Sequence, residues 1–144
     1  MQPDADNLVR DSNLGRLRVT AVPNGNTTGK NAAGQCTTLY TFGARSFTVW
    51  DAASVMPVFD SGDAFEQATV ALPNANFNAS NSNNDLDGRS TSKGPEPEGV
   101  AVGKIGNKTF AFIGLERMGG VLVYDITNPM APTRVDYLNT RDEW

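Results

Sequence analysis

Apolar and polar residues alternate with a period of two in several short segments of this chain, and helical periodicity is nearly missing. Alternation of this kind indicates half-buried β-strands. The first half of the chain contains four such segments, at residues 17–22, 37–42, 46–51 and 57–59. Gly43-Ala44-Arg45 predicts a hairpin turn between the second and the third of them. One or two helical turns are expected from Asp63 to about Val70, because Asp63 and Glu66 have the spacing of a capping box.

The second half of the chain predicts a meander of four strands with more apolar character. The segments are residues 99–105, 108–115, 121–126 and 134–138. Gly106-Asn107 has the form of a two-residue hairpin turn, and Gly119-Gly120 turns the chain into the third strand. Between the two halves, residues 73–93 are rich in Asn, Ser and Asp and predict a long loop. A loop of this length inside a compact domain is usually functional or mobile.

The two halves repeat each other. Thr38–Gly43 is similar to Thr109–Gly114, and Phe47–Asp51 is similar to Val121–Asp125. A strand pair that recurs with an aromatic-Asp ending is typical of β-propeller blades, although an antiparallel sandwich with a coincidental repeat is the alternative. We therefore predict an all-β segment of about two four-stranded antiparallel blades with one short helix. The predicted boundaries are residues 15–72 for the first blade, 73–93 for the loop and 94–144 for the second blade.

Several phrases of the sequence resemble the choice-of-anchor I domain, a β-propeller domain. They are YTFGARSFTVWDA, PVFDSGDAFE, KGPEPEGVAVGKIGNKTFAFIGLERMGGVLVYDITNP and VDYLNTRD. The family occurs in large secreted bacterial proteins, atypical alkaline phosphatases and mesenchyme-specific cell-surface glycoproteins. The resemblance implies that the chain from Gly15 onward is an internal part of a larger propeller. The partners it implies are the remaining blades, or further copies of this chain in their place.

Composition restricts the function classes. The chain has 144 residues, of which 39% are apolar and 19% charged, and these values are typical of a globular domain. Its net charge of −4 argues against nucleic-acid binding, which needs a basic surface. No segment approaches the roughly 20 apolar residues of a membrane span. Met1–Asp6 lacks the features of a signal peptide. The low charge and single cysteine nevertheless suit an extracellular or cell-surface protein.

Two absences restrict the chemistry. The chain contains no histidine, which excludes Ser-His-Asp and Cys-His catalysis and His-ligated metals within it. Cys36 is the sole cysteine, so no internal disulfide forms, and its place in an alternating segment predicts a small strand residue. We therefore do not expect this chain alone to be a self-sufficient enzyme.

The most specific metal-binding pattern is Asn83-x-Asp85-x-Asp87-Gly88. Alternate oxygens with a glycine at the sharp turn form the front half of a calcium loop, although the closing Glu is missing. Calcium is therefore the cofactor that this segment indicates. The alternative is a solvated loop that uses Asn and Asp as turn residues.

A second candidate is Gly94–Gly99, which reads GPEPEG and leads into the first strand of the second blade. That strand is innermost in a propeller blade. The prolines restrict the backbone, so Glu96 and Glu98 are expected to lie close together and point in similar directions. The two carboxylates are candidate ligands of a cation or an acid–base pair. Alternatively, Glu98 accepts backbone hydrogen bonds and fixes the loop.

Five cationic side chains lie near predicted strand ends: Arg45, Arg89, Lys93, Arg117 and Arg141. The first four are candidate ligand-binding residues. A phosphate group would need such a cluster. The alternative is a set of solvated cations or partners for Asp51, Asp125 and Asp142. The rival to a binding module is therefore a metal-dependent phosphoesterase with a site at Glu96, Glu98 and Arg89. Three Asn-x-Ser/Thr sequons, at Asn26, Asn78 and Asn107, matter in a eukaryotic secretory host.

Overall fold

The structure is a computed structural model that describes residues 10–11, 14–20, 31–35, 37–72, 76–139 and 141. Over these residues the chain forms six β-strands and one short α-helix, arranged as a two-stranded and a four-stranded antiparallel sheet. The elements are β1 (Thr48–Asp51), β2 (Met56–Asp60), α1 (Ala64–Val70), β3 (Pro97–Ile105), β4 (Lys108–Leu115), β5 (Val121–Asp125) and β6 (Thr133–Leu138). The predicted all-β class is confirmed. No helix of the described residues is long and apolar enough to cross a membrane.

The four-stranded sheet is the predicted meander. Its strand order is β3-β4-β5-β6, so each strand pairs with the next one along the chain. Ile105 pairs with Lys108 across the predicted turn, where Gly106 has a φ of 62°. Glycine adopts this left-handed conformation without the steric cost that a Cβ brings. Strand ends differ from the prediction by at most two residues, because the alternation and the turn residues are both local signals.

The first half of the chain departs from the prediction. β1 pairs with β2, but Leu17–Val22 and Thr37–Phe42 give only one isolated bridge, between Val19 and Thr41, in their described parts. Residues 21 and 22 and Cys36 lie outside the described residues. The backbone N–H of Arg18 donates to Thr91 at 2.8 Å and that of Thr20 to Tyr40 at 2.9 Å. Residues 17–20 therefore contact a distant loop and one isolated bridge partner, and they do not form a regular strand.

The predicted hairpin at Gly43–Arg45 is also wrong. Gly43 has a φ of 79°, and a Cβ there would overlap with the backbone carbonyl of Lys93. The backbone at Gly43 therefore packs against the loop that precedes β3, and residues 37–42 do not reverse there to pair with β1. Arg45 is carried by this contact to the same loop.

The helix is confirmed, but its capping box is not. Asp63 makes no side-chain cap hydrogen bond, and its carboxylate accepts from the Gln67 amide at 3.2 Å. Glu66 forms an ion pair with Arg45 and does not return to the helix N-terminus. The helix is held instead by burial of Phe65, Ala68 and Thr69.

The core lies between the four-stranded sheet on one side and α1 with the β1–β2 sheet on the other. The alternating residues of β4 and β5 that point to this core are buried: Ala111, Ile113, Leu115, Leu122 and Tyr124. Phe47 joins the layers, since its ring centroid lies 4.8 Å from that of Tyr124, 5.9 Å from Phe65 and 5.5 Å from Phe59. Edge-to-face, tilted and stacked aromatic contacts of this kind add to the stabilisation from buried apolar area. One face of the blade is therefore covered at β4 and β5.

The opposite face of the four-stranded sheet remains open. By strand register its apolar residues include Ala101, Phe110, Phe112, Val121, Val123 and Leu138, and it also carries Lys108, Asp125 and Asp136; we call it the open face. None of these six apolar residues is buried, and Leu138 is 62% exposed, whereas Leu122 on the covered face is 0% exposed. The described residues therefore cover one apolar face of the sheet only at β4 and β5. On that same face Val100 and Val102 of β3, which pair with Ile113 and Ala111, are 70% and 64% exposed.

The repeated aromatic-Asp ending has the same role in both sheets. Asp51 ends β1 and accepts hydrogen bonds from the backbone N–H groups of Ala53 at 3.1 Å and Ser54 at 2.7 Å. Asp125 ends β5 and accepts from the Thr127 N–H at 3.0 Å. Hydrogen bonds from Thr127, followed by those from Lys108, lower the pKa of Asp125 to about 2. Each aspartate therefore stabilises the turn that follows its strand.

Candidate functional site

The Gly94–Gly99 turn is anchored by Glu96. This residue is 4% exposed and has a φ of 45°, in the left-handed region that non-glycine residues seldom occupy. Its backbone carbonyl accepts a hydrogen bond from the N–H of Glu116 at 2.9 Å, which ties the turn to the β4–β5 connection. The surrounding contacts therefore hold the backbone in a conformation that it would not adopt alone.

Both carboxylate oxygens of Glu96 are paired with cations. Lys93 Nζ lies 2.9 Å from Oε1, and Arg117 Nε donates to Oε2. Burial opposes the charge most strongly, but the hydrogen bonds from Lys93 and Arg117 together outweigh it, so the pKa of Glu96 falls below its ordinary value of 4.5. We call Glu96, Lys93 and Arg117 the Glu96 network. At neutral pH its carboxylate is ionised and fully engaged.

Two further carboxylates approach Glu96. Oxygens of Glu96, Glu98 and Glu116 lie within 4.8 Å of one another, the one such group of three among the described residues. The predicted proximity of Glu96 and Glu98 is therefore observed, whereas Glu116 was missed because it comes from the next connection along the sheet. Burial, followed by its hydrogen bond with Glu96, raises the pKa of Glu116. A divalent cation here would compete with Lys93 and Arg117 for Glu96.

The anchoring residue is Glu96 and not Glu98. Glu98 is exposed at the start of β3, whereas Glu96 is buried and holds the turn through its side chain and its carbonyl. The expectation that Glu98 fixes the loop was wrong, because the tight turn directs Glu96 into the protein and leaves Glu98 at the surface.

Arg45 belongs to a second, separate cluster. It forms an ion pair with Glu66, and its Nη2 donates to the carbonyl of Ser90 at 2.7 Å. Asn78 is 0% exposed, and its Nδ2 donates to Glu66 Oε1 at 3.1 Å and to Ser90 Oγ at 2.8 Å. A Cβ at Gly94 would overlap with the Arg45 guanidinium, so glycine is required for this approach. The cluster binds helix α1 to the loop.

The four predicted ligand-binding cations therefore have structural partners or structural positions. Lys93 and Arg117 meet on Glu96, and Arg45 pairs with Glu66. The carbonyl of Arg89 accepts the N–H groups of Ser92, Lys93 and Gly94, while its buried Nε has no partner among the described residues. Among the described residues, Asp51 and Asp125 form no ion pair with these four cations. Asp125 pairs instead with Lys108, at 2.9 Å. Asp142 lies outside the described residues.

The predicted calcium loop is a series of tight turns. Asn83 Oδ1 accepts from the N–H of Asp85 at 3.3 Å, and the carbonyl of Asp85 accepts from Gly88 at 3.2 Å. Asp87 has a φ of 63°, and its carboxylate accepts the hydroxyl of Ser90. Asp85 and Asp87 are exposed, so the rest of their oxygens face solvent.

Arg141 fastens this loop to the blade. Its Nη1 donates to the carbonyls of Ser80 at 2.6 Å and Arg117 at 2.8 Å, and its Nη2 donates to the carbonyl of Asn83 at 2.7 Å. One guanidinium thus satisfies three backbone carbonyls from two segments. Sequence reasoning missed this role, because a cation that binds carbonyls leaves no acidic partner to search for.

Comparison with known proteins identifies relatives of this chain. The model of the choice-of-anchor I domain family matches residues 1–129. Gigasin-3a of Magallana gigas is 30% identical over 128 residues, which cover 85% of this chain and 43% of Gigasin-3a. This chain therefore spans less than half the length of that relative. No solved structure matches this chain.

Proposed function

The chain belongs to the choice-of-anchor I domain family, and we propose that it is part of an extracellular or cell-surface β-propeller module with a structural and binding role. Family membership and the similarity to Gigasin-3a suggest an extracellular setting. The low charge and single cysteine agree with that setting. In this module the remaining blades, or further copies of the chain, are the partners.

The observation that carries the proposal is the apolar surface that the four-stranded sheet leaves exposed. Ile113 and Leu122 in the core are 2% and 0% exposed, whereas Val121 and Leu138 on the open face are 37% and 62% exposed. Val100 and Val102 at the β3 edge are 70% and 64% exposed. Propeller blades bury both faces, because each sheet packs between two neighbours. An exposed apolar face on a regular blade therefore supports a partner that covers it.

The extracellular setting is tested in the source cells. A tagged copy of the full-length gene product is expected in the medium or accessible to protease on intact cells. A tagged cytosolic protein of the same cells is the control and should resist the protease. Retention of the tagged product inside intact cells would contradict the proposed location.

Calcium is the proposed cofactor, with Asn83, Asp85 and Asp87 as its ligands. We expect weak binding, at about 10⁻⁴–10⁻³ M, because the loop offers few anionic oxygens and lacks the closing Glu. Calorimetric titration of the wild type against Asp85→Asn plus Asp87→Asn measures it. Glu98→Gln plus Glu116→Gln is the matched control, which removes the same charge from the other acidic group. Equal titrations of the wild type and the loop variant would eliminate this loop.

The rival proposal, a metal-dependent phosphoesterase, is favoured by the approach of Glu96, Glu98 and Glu116 to one another. Against it, both oxygens of Glu96 are engaged by Lys93 and Arg117. We expect no Glu98-dependent hydrolysis of a generic phosphate ester in the presence of added calcium. A turnover that is lost in Glu98→Gln, while the melting temperature stays the same, would establish the rival.

A further inference from the structure

The three sequons differ in their accessibility. Asn26 lies outside the described residues. Asn78, followed by Ala79 and Ser80, is 0% exposed. Asn107, followed by Lys108 and Thr109, is exposed in the turn between β3 and β4. An N-linked glycan is bulky and must project into solvent. Of the two described sequons, only the one at Asn107 has the exposed acceptor that this requires.

Asn78 is unsuited to carry a glycan in the folded protein. Its Nδ2, the atom to which a glycan attaches, donates two hydrogen bonds, to Glu66 Oε1 at 3.1 Å and to Ser90 Oγ at 2.8 Å. Its carbonyl accepts the N–H of Arg89 at 2.8 Å. A glycan on Nδ2 would replace at least one of these contacts and would need space where the residue has no exposed surface.

Asn107 has the opposite environment. It is the second residue of a two-residue turn whose flanking residues, Ile105 and Lys108, are the last pair of the β3–β4 ladder. Thr109 lies in β4, where its N–H donates to Thr127 Oγ1 at 3.0 Å and its carbonyl accepts from Ile126 at 2.8 Å. The turn ends the hairpin, so a glycan at Asn107 extends beyond the strands and leaves both faces of the sheet free for packing.

We infer that Asn107 is an N-glycan acceptor when the chain passes through a eukaryotic secretory pathway, and that Asn78 is not; the inference rests on the proposed extracellular setting. The donor is a lipid-linked pyrophosphate oligosaccharide. A bond forms between Nδ2 of Asn107 and C1 of the first sugar, and the bond between C1 and the pyrophosphate oxygen breaks. The amide proton passes to a base of the transferase, and the lipid pyrophosphate leaves.

The test is the secretion of the chain from cultured eukaryotic cells behind an added signal peptide. Glycans are removed with a glycan amidase in H₂¹⁸O, which marks each occupied Asn as labelled Asp, and the sites are mapped by peptide mass spectrometry. We expect label at residue 107 and none at residue 78 in the secreted, folded protein. An unlabelled residue 107 or a labelled residue 78 would overturn the inference.

Matched variants separate the acceptor from folding effects. Asn107→Gln and Thr109→Val should remove the label at 107, whereas Thr109→Ser, which keeps the sequon, should retain it. Ser80→Ala removes the buried sequon without changing Asn78, and should leave the glycan pattern unchanged. Loss of label in Thr109→Ser as well as in Thr109→Val would contradict the assignment.

The inference and the proposed location fail separately. An intracellular native protein would contradict the extracellular setting and leave the acceptor result at Asn107 intact. An extracellular native protein with an unmodified Asn107 in the secretion experiment would do the reverse.

Discussion

Replacement of Glu96 by Gln is expected to lower the free energy of unfolding by about 2–3 kcal/mol, and Glu98→Gln by less than about 0.5 kcal/mol. Glu96 is 4% exposed and accepts hydrogen bonds from Lys93 and Arg117. Gln in this place keeps the shape, removes the negative charge and turns one acceptor into a donor that faces a cation. Lys93 and Arg117 retain some solvent contact, which limits the loss to less than that of a fully buried pair.

The two variants are matched, because they make the same chemical change two residues apart in the same turn. Urea unfolding at pH 7 measures the difference in free energy. Equal stability of Glu96→Gln and the wild type would show that the Glu96 network does not anchor the turn. A loss in Glu98→Gln as large as that in Glu96→Gln would show that the anchor is the turn as a whole.

The pH dependence gives a second reading of the same network. The pKa of Glu96 is lower in the folded chain than its ordinary value of 4.5, so the folded state binds fewer protons there than the unfolded state. The contribution to stability is therefore complete above about pH 4.5 and declines as the pH falls through the lowered pKa of the folded state. We expect the difference in stability between the wild type and Glu96→Gln to shrink over this acidic range.

The second half of the fold follows from the sequence, because its signals are local. β3 to β6 form a meander in which each strand meets the next, and Gly106-Asn107 fixes the first reversal. The predictions that failed, for residues 17–20 and 37–42, concern segments with contacts distant in sequence. Arg18 binds Thr91, and Gly43 packs under Lys93. Periodicity shows that a segment is able to form a strand, but it does not show which other segment will pair with it.

The candidate site shows the same limit. The sequence indicated that Glu96 and Glu98 lie close together, since proline restricts the backbone between them. It did not indicate which carboxylate turns inward, and it did not place Arg117 or Glu116 beside them. These residues arrive from the β4–β5 connection, because β3 and β4 pair so that Pro97 lies opposite Leu115. The composition of the site therefore depends on strand register, which a single sequence specifies only indirectly.

The isolated chain is expected to self-associate through its open face, and two lysines placed on that face are expected to weaken the association at least tenfold. Val121 and Leu138 are paired across β5 and β6 on this face and are 37% and 62% exposed. Lysine at both positions introduces charge that must be desolvated when a second sheet covers the face. A tenfold change corresponds to about 1.4 kcal/mol, which is modest for two buried charges.

The matched control is Met130→Lys, because Met130 is 71% exposed in the connection between β5 and β6 and does not belong to the open face. Light scattering over a concentration series measures the association of the wild type, Val121→Lys plus Leu138→Lys, and Met130→Lys. The control should associate as the wild type does, since it loses an exposed apolar side chain elsewhere. Equal weakening by Met130→Lys would assign the effect to net charge rather than to the face. A wild-type chain that stays monomeric at every concentration and unfolds cooperatively would show that the open face needs no partner, and the blade would then not be part of a larger assembly.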